Sequence, residues 1–135
     1  MGGATVAPES WCDADMLTND QVQDWLDAYV AAWRSYDRAA IVALFTDDVA
    51  HSYHPYDEPI RGAEAVADSW LSERDEPGAW EAEYAPALIS GPGAIVTGET
   101  RYTDGEVFSN LWQVEFADDG RCSRFVEWFV LHPQD

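Results

Sequence analysis

Lysine is missing from the sequence, and only seven arginines oppose 26 acidic residues, so the formal net charge is −19. Nucleic acids and anionic membrane surfaces are bound through basic faces, which a chain of this composition does not supply. We therefore expect neither nucleic acid nor a membrane as a partner. The acidic surplus is typical of a solvated surface, an interpretation that we favour over a specific cationic partner.

Long apolar runs are missing too, since no stretch approaches the ~20 apolar residues that span a bilayer. The N-terminus has no basic region of the kind that opens a secretory signal, and we expect a cytoplasmic protein. Cysteine is scarce: Cys12 and Cys122 are too few for a disulfide framework and lack metal-ligand spacing. Two free thiols are favoured over a bridge that would tie down the N-terminal segment.

A metal site is not expected either. His51 and His54 lie at positions i and i+3 of a predicted strand, so their side chains point in opposite directions, and no third ligand is fixed by spacing. We expect neither a metal nor another cofactor.

Aromatic residues are abundant, by contrast, with seven Trp, six Tyr and five Phe in a chain of 135 residues that is 47% hydrophobic. Such a chain is long enough and apolar enough to bury a core, which indicates a globular protein. We predict one domain over residues 18–132. Residues 1–17 contain Gly-Gly, a proline and no periodicity, so we interpret them as a loose extension.

Three helices are predicted in the first half of the chain. The first begins at Thr18, which forms a capping box with Gln21, and it carries an apolar stripe at helical spacing. Asp37 caps a short second helix, and a third begins after Gly62 and runs to about residue 74. A short strand at residues 49–54 lies between the second and third helices.

The alternation of that short strand places His51 and Tyr53 on one face and His54 on the other. His51 is a candidate base near neutral pH, and a hydrogen-bonded structural histidine at a cavity wall is the alternative. The loop that follows contains two prolines, which exclude a helix. We advance the hypothesis that residues 54–57 and Trp70 form a lid.

Four strands close the chain as a meander. The first, residues 80–90, is interrupted at Pro86 and is therefore expected at an edge or a bulge. The last three occupy residues 94–131 and are joined by two turns. Asp104-Gly105 predicts a two-residue hairpin loop, and Gly120 supplies the left-handed residue of a four-residue loop.

Counting outward from these turns predicts a polar row, Glu99–Asn110–Glu127, on an apolar face of the sheet that includes Trp112, Phe125 and Phe129. Such a row predicts a pocket, in which two carboxylates would have raised and separated pKa values, as an acid and a base require. Structural pairing stays open as the alternative, because Arg101 on the same face, or Arg124 from a neighbouring position, would neutralise one carboxylate. Arg101 is also a candidate to bind a substrate carboxylate.

The predicted architecture is an α+β cone. A curved, mixed or antiparallel sheet, with three N-terminal helices against its hollow side, encloses the pocket. The outer face of the sheet is also apolar and must be covered, which predicts a homodimer. That face carries Leu111, Val126, Trp128 and Val130.

Three segments carry a recognisable pattern: residues 29–48 (Tyr-Val-Ala-Ala … Ile-Val-Ala-Leu-Phe-Thr-Asp-Asp), residues 59–62 (Pro-Ile-Arg-Gly) and residues 109–129 (Ser-Asn-Leu-Trp … Phe-Val-Glu-Trp-Phe). They resemble the nuclear transport factor 2-like superfamily, and within it the SnoaL-like polyketide cyclases and the steroid Δ5-isomerases. The resemblance covers about residues 18–132. It implies the cone fold, which hosts isomerases, cyclases, epoxide hydrolases, dehydratases and non-catalytic binders.

The resemblance also implies roles for individual residues. Tyr29 matches a tyrosine that steroid isomerases use as an oxyanion donor. Tyr53 stands where those enzymes have the aspartate base, and Trp112 where they have a second, protonated aspartate. Isomerisation by that mechanism is therefore not expected. Glu127 matches an aspartate on the last strand of limonene-epoxide-hydrolase-like members.

We therefore expect a cofactor-free enzyme that performs acid–base chemistry (isomerisation, cyclisation, hydration, dehydration or epoxide hydrolysis) on a small, largely apolar molecule. The candidate catalytic residues are Glu127, Glu99, His51 and Tyr29. The candidate substrate-binding residues are Tyr53, Arg101, Asn110, Trp112, Phe125, Phe129, Trp33 and Trp70. The alternative is a non-catalytic ligand-binding or dimerisation module. An open cavity with an unpaired carboxylate favours the enzyme, whereas carboxylates satisfied by arginines around a filled cavity favour the module.

Overall fold

The computed structural model describes residues 17–134, so Cys12 and all but the last residue of the predicted extension lie outside the described residues. The described residues form three helices and six strands. In chain order these are α1 (Asn19–Ser35), α2 (Arg38–Ala43), β1 (Phe45–Ser52), β2 (Ile60–Arg61), α3 (Ala63–Ser72), β3 (Trp80–Ser90), β4 (Gly93–Tyr102), β5 (Val107–Phe116) and β6 (Cys122–Leu131). None of these helices is long and apolar enough to cross a membrane.

The strands form one mixed sheet in the order β2-β1-β6-β5-β4-β3. Neighbouring strands are antiparallel except for β1 and β6, which run parallel. The sheet is curved and does not close on itself, and the predicted α+β cone is confirmed. Two details differ from the prediction: β1 begins four residues earlier, at Phe45, and the two-residue strand β2 pairs with its end.

Helix α1 begins as predicted. The backbone N–H of Gln21 donates to Thr18 Oγ1 (3.1 Å), and that of Thr18 donates to Gln21 Oε1 (2.9 Å), which completes the capping box. The helix ends at Ser35 and is capped by Tyr36, whose φ of 50° is the one positive value at a non-glycine position among the described residues. Bulky residues in this conformation are strained and cluster at functional sites.

The core is aromatic and lies between α1 and the sheet. Trp25 meets Phe45 and Phe116 edge-on at ring-centroid distances of 6.1 and 5.4 Å, and its Nε1 donates to the Leu44 carbonyl oxygen (3.0 Å). Buried rings of this size dominate the apolar burial of a small domain. One turn further along α1, at Tyr29, the packed core gives way to a cavity.

Strand β3 lies at an edge of the sheet, as its proline predicts. The register between β3 and β4 shifts between Pro86 and Leu88, so the predicted irregularity is also confirmed. Further along β4, Gly98 lies opposite Tyr84. A Cβ atom at Gly98 would overlap the Tyr84 ring, so the glycine allows that ring to lie against the β4 backbone and point inward.

The predicted two-residue loop between β4 and β5 is wrong. The N–H of Tyr102 donates to the Glu106 carbonyl oxygen (2.9 Å), and the N–H of Gly105 donates to the Tyr102 carbonyl oxygen (3.0 Å). The loop therefore contains three residues, 103–105. Gly105 has a φ of 99° and supplies the positive φ that the third position of such a loop requires.

This extra loop residue moves the register by one position. Glu99 faces Ser109 instead of Asn110. Because side chains alternate along a strand, a slip of one residue sends each side chain to the other face of the sheet. Glu99 therefore leaves the predicted row, and its neighbour Thr100 points inward in its place.

The register between β5 and β6 differs from the prediction by two residues. The N–H of Ala117 donates to the Arg121 carbonyl oxygen (2.8 Å), so the predicted four-residue loop contains three residues, 118–120, which accounts for one of them. A β-bulge where the two strands leave this loop accounts for the other. Trp112 faces Glu127 instead of Phe125. A slip of two residues preserves the faces of both strands. Asn110 and Glu127 therefore share the inner face as predicted, and their side chains meet diagonally.

Candidate functional site

A cavity of about 460 Å³ lies between the sheet and the C-terminal halves of α1 and α3. Aromatic residues contribute most of its wall: Tyr29, Trp33, Tyr36, Tyr53, Trp70, Tyr84, Tyr102, Phe108, Trp112 and Phe129. The polar lining residues are His54, Asp57, Ser69, Glu73, Asp75, Thr100, Asn110 and Glu127. The volume is within the range of about 300–1,000 Å³ that is usual for small-molecule sites.

The carboxylate of Glu127 lies in the sheet wall of this cavity. Its Oε2 atom accepts hydrogen bonds from Asn110 Nδ2 (2.8 Å) and Trp112 Nε1 (2.9 Å). Within residues 17–134, Glu127 takes part in no ion pair, and no hydrogen bond reaches its Oε1 atom. One oxygen is thus held in place while the other stays available to a bound molecule.

A chain of hydrogen bonds supports this arrangement from three strands. Thr100 Oγ1 donates to Asn110 Oδ1 (2.9 Å) and lies 2.6 Å from the Tyr84 hydroxyl. A hydroxyl carries one proton, so Tyr84 is the donor to Thr100. The donors thus point in one direction, from Tyr84 to the carboxylate of Glu127. Their aligned dipoles stabilise a negative charge on Glu127.

Burial nevertheless raises the pKa of the Glu127 carboxyl above its usual value. The hydrogen bonds from Trp112 and Asn110 and the charge of His54 each lower this pKa and offset part of the effect. Burial penalises the charged form, whereas donors and a nearby cation favour it. A carboxyl group in this balance is suited to both accept and release a proton.

Two tyrosines of the wall remain protonated at neutral pH. Burial raises the pKa of Tyr29 well above its ordinary value, and the charge of Glu127 adds to this effect. Burial also raises the pKa of Tyr53, whose hydroxyl lies 3.0 Å from Ser69 Oγ. Each hydroxyl therefore keeps a proton that it can donate.

His54 also lines the cavity, contrary to the prediction that it faces away from Tyr53. Strand β1 ends at Ser52, and alternation does not continue into the loop that follows. His54 Nδ1 lies 2.8 Å from Asp57 Oδ2, and because a carboxylate only accepts, Nδ1 carries the proton. The spacing His-x-x-Asp is the sequence signal that identifies this pair.

His51 lies in the core, outside the cavity. It is fully buried, does not line the cavity, and stacks on Phe125 at a ring-centroid distance of 4.5 Å. Neither of its ring nitrogens has a hydrogen-bond partner within the described part of the chain. Burial lowers the pKa of His51 to about 4, so the ring is neutral at pH 7.

Glu99 and Arg101 lie on the other face of β4, so their predicted place in the cavity is wrong. Arg101 Nη1 and Nη2 lie 3.0 Å from the carboxylates of Glu99 and Glu83 respectively. The one-residue change in register causes this difference. Phe125 is also absent from the cavity wall, because it is fully buried in the core, 4.8 Å from Trp112 between ring centroids.

The other predicted site residues do meet at the cavity: Tyr29, Trp33, Tyr53, Trp70, Asn110, Trp112, Glu127 and Phe129. Thr100 and Tyr84 were missed, because both depend on the register of β4. Reading residues 103–105 as a three-residue loop would have placed Thr100 in the row. Among the described residues, no three His, Cys, Asp or Glu side chains form a group suited to a metal ion.

A family model described as the SnoaL-like domain matches residues 26–132. No curated protein matches the sequence. Solved structures with a similar fold are numerous, and all those described next share 20% identity or less with this chain, so they show the fold alone.

A protein from Kribbella flavida, provisionally named a ketosteroid isomerase, has a TM-score of 0.65 at 20% identity over 87% of this chain and 83% of its own. An NTF-2 like protein of unknown function from Burkholderia xenovorans has a TM-score of 0.66 at 19% identity over 86% and 87% of the two chains. The epoxide hydrolase/cyclase-like enzyme SalBIII, from a study of pyran ring formation in salinomycin, has a TM-score of 0.60 at 14% identity over 80% and 89%.

Proposed function

Since the chain belongs to the SnoaL-like domain family, we propose that its cavity is the active site of an enzyme that transfers a proton on a small, largely apolar molecule. The reaction class is isomerisation, cyclisation, hydration, dehydration or epoxide hydrolysis. The chain's own side chains supply the acid and the base, with no metal or other cofactor.

One observation carries this proposal: Glu127 is a cavity carboxylate held by neutral donors, and no ion pair within residues 17–134 includes it. Carboxylates that serve the fold are usually neutralised by cations, as Glu99 is by Arg101. Burying an unneutralised carboxylate costs stability, which a purely structural role does not explain. A raised pKa beside an open cavity is typical of a catalytic acid or base.

We assign the main acid–base role to Glu127, whose Oε1 reaches the bound molecule. Asn110 and Trp112 hold Oε2 and fix the plane of the carboxylate. Thr100 and Tyr84 act through Asn110 as positioning residues. Tyr29 donates a hydrogen bond to the bound molecule from the opposite wall.

His54 is the second acid–base group in this proposal, in the place that sequence reasoning gave to Glu99 or His51. Asp57 accepts a hydrogen bond from Nδ1 and orients the ring, which leaves Nε2 for the bound molecule. A histidine oriented by a carboxylate is a recurrent arrangement for proton transfer. Glu127 and His54 thus form a pair of titratable groups at one cavity.

We further propose that two copies associate through the outer face of the sheet. Leu111, Trp128 and Val130 are exposed there by 37%, 48% and 66% of their surfaces. An exposed apolar face of this kind is typical of a protein interface. Association would leave both cavities accessible, because they lie on the inner face.

The experiment starts from protein purified from its own host, with native mass spectrometry to identify a retained small molecule. Turnover of that molecule is then compared between wild type, Glu127→Gln and Glu99→Gln. We expect Glu127→Gln to bind the molecule and lose at least about 100-fold in kcat, the usual scale of acid–base catalysis. Glu99→Gln removes the same charge outside the cavity and should retain activity.

Equal turnover by Glu127→Gln and wild type would contradict the acid–base role of Glu127. Loss of activity in both variants would also count against it, because the effect would then reflect net charge instead of the cavity carboxylate.

A further inference from the structure

The ionisable side chains of the cavity are mostly acidic. Asp57, Glu73, Asp75 and Glu127 line it, and His54 is the one basic group among the described lining residues. Asp57 is already matched to His54, and Asp75 Oδ2 accepts a hydrogen bond from Trp33 Nε1 (3.0 Å). The remaining carboxylates, Glu73 and Glu127, form no ion pair within the described part of the chain.

The arginines of the protein are held elsewhere. Five of the seven form ion pairs with carboxylates that do not line the cavity: Arg34, Arg38, Arg101, Arg121 and Arg124. Arg74 lies over the Tyr36 ring, 5.4 Å from its centroid, and is not a lining residue, nor is Arg61. A chain without lysine has no other permanent side-chain cation to offer a negatively charged ligand.

The hydrogen-bond donors in the sheet wall also disfavour a negatively charged ligand. The N–H groups of Asn110 and Trp112 that bond within the wall are directed at Glu127, and the Thr100 hydroxyl is directed at Asn110. They stabilise a negative charge that belongs to the protein. An anionic ligand would find these donors occupied and would lie beside Glu127, which repels it.

The ten aromatic side chains of the wall also favour a positively charged ligand. The face of an aromatic ring carries negative potential and attracts a cation within about 6 Å of its centroid. Tryptophan is the strongest ring type for this interaction. Three tryptophans lie around the cavity, namely Trp33 on α1, Trp70 on α3 and Trp112 on β5. Aromatic side chains of these types bind ammonium groups in proteins, and here they share a cavity with the carboxylate of Glu127.

From these observations we infer that the molecule bound in the cavity carries a positively charged nitrogen, as a protonated amine or a quaternary ammonium group. Glu127 and the surrounding rings contact the charged group, and the remaining rings contact an apolar body that fits about 460 Å³. The inference rests on the proposed function for the location of the site and names its substrate class. Carboxylate and phosphate substrates are excluded by the same charges.

The test measures binding of three probes of similar shape: benzyltrimethylammonium, its neutral isostere neopentylbenzene, and the anion phenylmethanesulfonate. Quenching of tryptophan fluorescence reports on the cavity, which contains three of the seven tryptophans, and calorimetry measures the affinity. High salt screens the acidic surface, so that contacts inside the cavity dominate. We expect the ammonium probe to bind about tenfold tighter than its isostere, and the anion not to bind.

Two variants distinguish binding in the cavity from binding to the acidic surface. Glu127→Gln should weaken the ammonium probe about tenfold and leave the neutral probe unchanged. Asp118→Asn makes the same charge change at the exposed turn between β5 and β6, beyond the end of the strand, and should have no effect. A neutral or anionic probe that binds as tightly as the ammonium probe overturns the inference, and so does ammonium binding that Glu127→Gln leaves unchanged.

The inference and the proposed function fail separately. If the neutral probe binds best while Glu127→Gln still abolishes turnover of the retained molecule, the acid–base role stands and the cationic substrate class is wrong. If the ammonium probe binds as expected while Glu127→Gln turns over the retained molecule normally, the substrate class stands and the acid–base role is wrong.

Discussion

At the scale of single residues, the main feature of the site is the buried carboxyl group of Glu127, which lowers the stability of the folded protein. Burial raises the pKa of this carboxyl in the folded protein. The folded state therefore binds its proton more readily than the unfolded chain does, and ionisation of Glu127 at neutral pH opposes folding. Stability sacrificed at one position is common at active sites.

This cost predicts that Glu127→Gln stabilises the protein at pH 7. The glutamine keeps an oxygen for Asn110 and Trp112 and removes the buried charge. As the pH falls below the ordinary carboxyl range, wild-type Glu127 is protonated in both states, and the advantage of the variant should vanish. Thermal melts of both proteins from pH 7 to pH 3 check the sign, and a variant less stable than wild type at pH 7 would contradict the account.

His51 predicts the opposite dependence on pH. Burial lowers its pKa from 6.5 to about 4, so the unfolded chain binds a proton more readily than the folded one. The stabilisation is complete above pH 6.5 and is lost as the pH falls through about 4. At about 1.4 kcal/mol for each unit of pKa difference, the loss amounts to about 3 kcal/mol.

The matched variant is His51→Phe, which keeps a ring against Phe125 and cannot bind a proton. Urea unfolding at several pH values between 7 and 4 should show a smaller loss of stability for this variant than for wild type. Parallel curves for the two proteins would show that His51 does not carry this dependence.

At the scale of elements, the site is assembled by strand register more than by any single motif. The capping box of Thr18 and the edge position of Pro86 follow from local physical rules, and the sequence predicted both correctly. The β4–β5 hairpin did not follow, because Asp104-Gly105 fits a two-residue loop and the last part of a three-residue loop equally well. That one-residue ambiguity moved Glu99 into the predicted site and Thr100 out of it.

The corrected register makes Thr100 the link between Tyr84 and Asn110. Thr100→Val keeps the shape but leaves the Asn110 carbonyl oxygen and the Tyr84 hydroxyl without their partner. Unsatisfied buried polar groups cost about 1–3 kcal/mol, so we expect the free energy of unfolding to fall by about 2 kcal/mol. We also expect kcat to fall more than KM changes, because Glu127 loses the group that orients it through Asn110.

Thr97→Val on the exposed face of the same strand is the control, and its effect should stay within about 0.5 kcal/mol. Similar losses in the two variants would show that the hydrogen-bond chain contributes no specific support.

At the scale of the whole molecule, the curved sheet presents two unlike faces. The inner face closes on the helices and forms the cavity, and the outer face exposes apolar side chains. The sequence predicted the faces of β5 and β6, because a two-residue slip preserves alternation, and it reversed those of β4. The class of the bound molecule required the three-dimensional arrangement of charges. Asp57, Glu73 and Asp75 lie far apart along the chain from Glu127 and meet only around the cavity.

The outer face predicts a dimer. Val130→Glu places a charge on its most exposed apolar side chain and should shift a dimer of about twice 15.1 kDa toward the monomer. Light scattering coupled to size-exclusion chromatography measures both masses. A wild-type protein that is monomeric at all accessible concentrations would contradict the dimer.

The most direct test of the central claim follows the proton itself. With the molecule retained from the native host and D₂O as solvent, mass spectrometry measures deuterium incorporation into substrate and product at early times. If the reaction makes or breaks a C–H bond, as isomerisation, hydration and dehydration do, wild-type protein should incorporate deuterium at carbon, and Glu127→Gln should do so at least about 100-fold more slowly while it still binds the molecule. For cyclisation or epoxide hydrolysis, where deuterium enters only exchangeable O–H groups, the same comparison is made on the rate of product formation. Incorporation at the wild-type rate by Glu127→Gln would contradict the assignment of Glu127 as the acid–base group of this cavity.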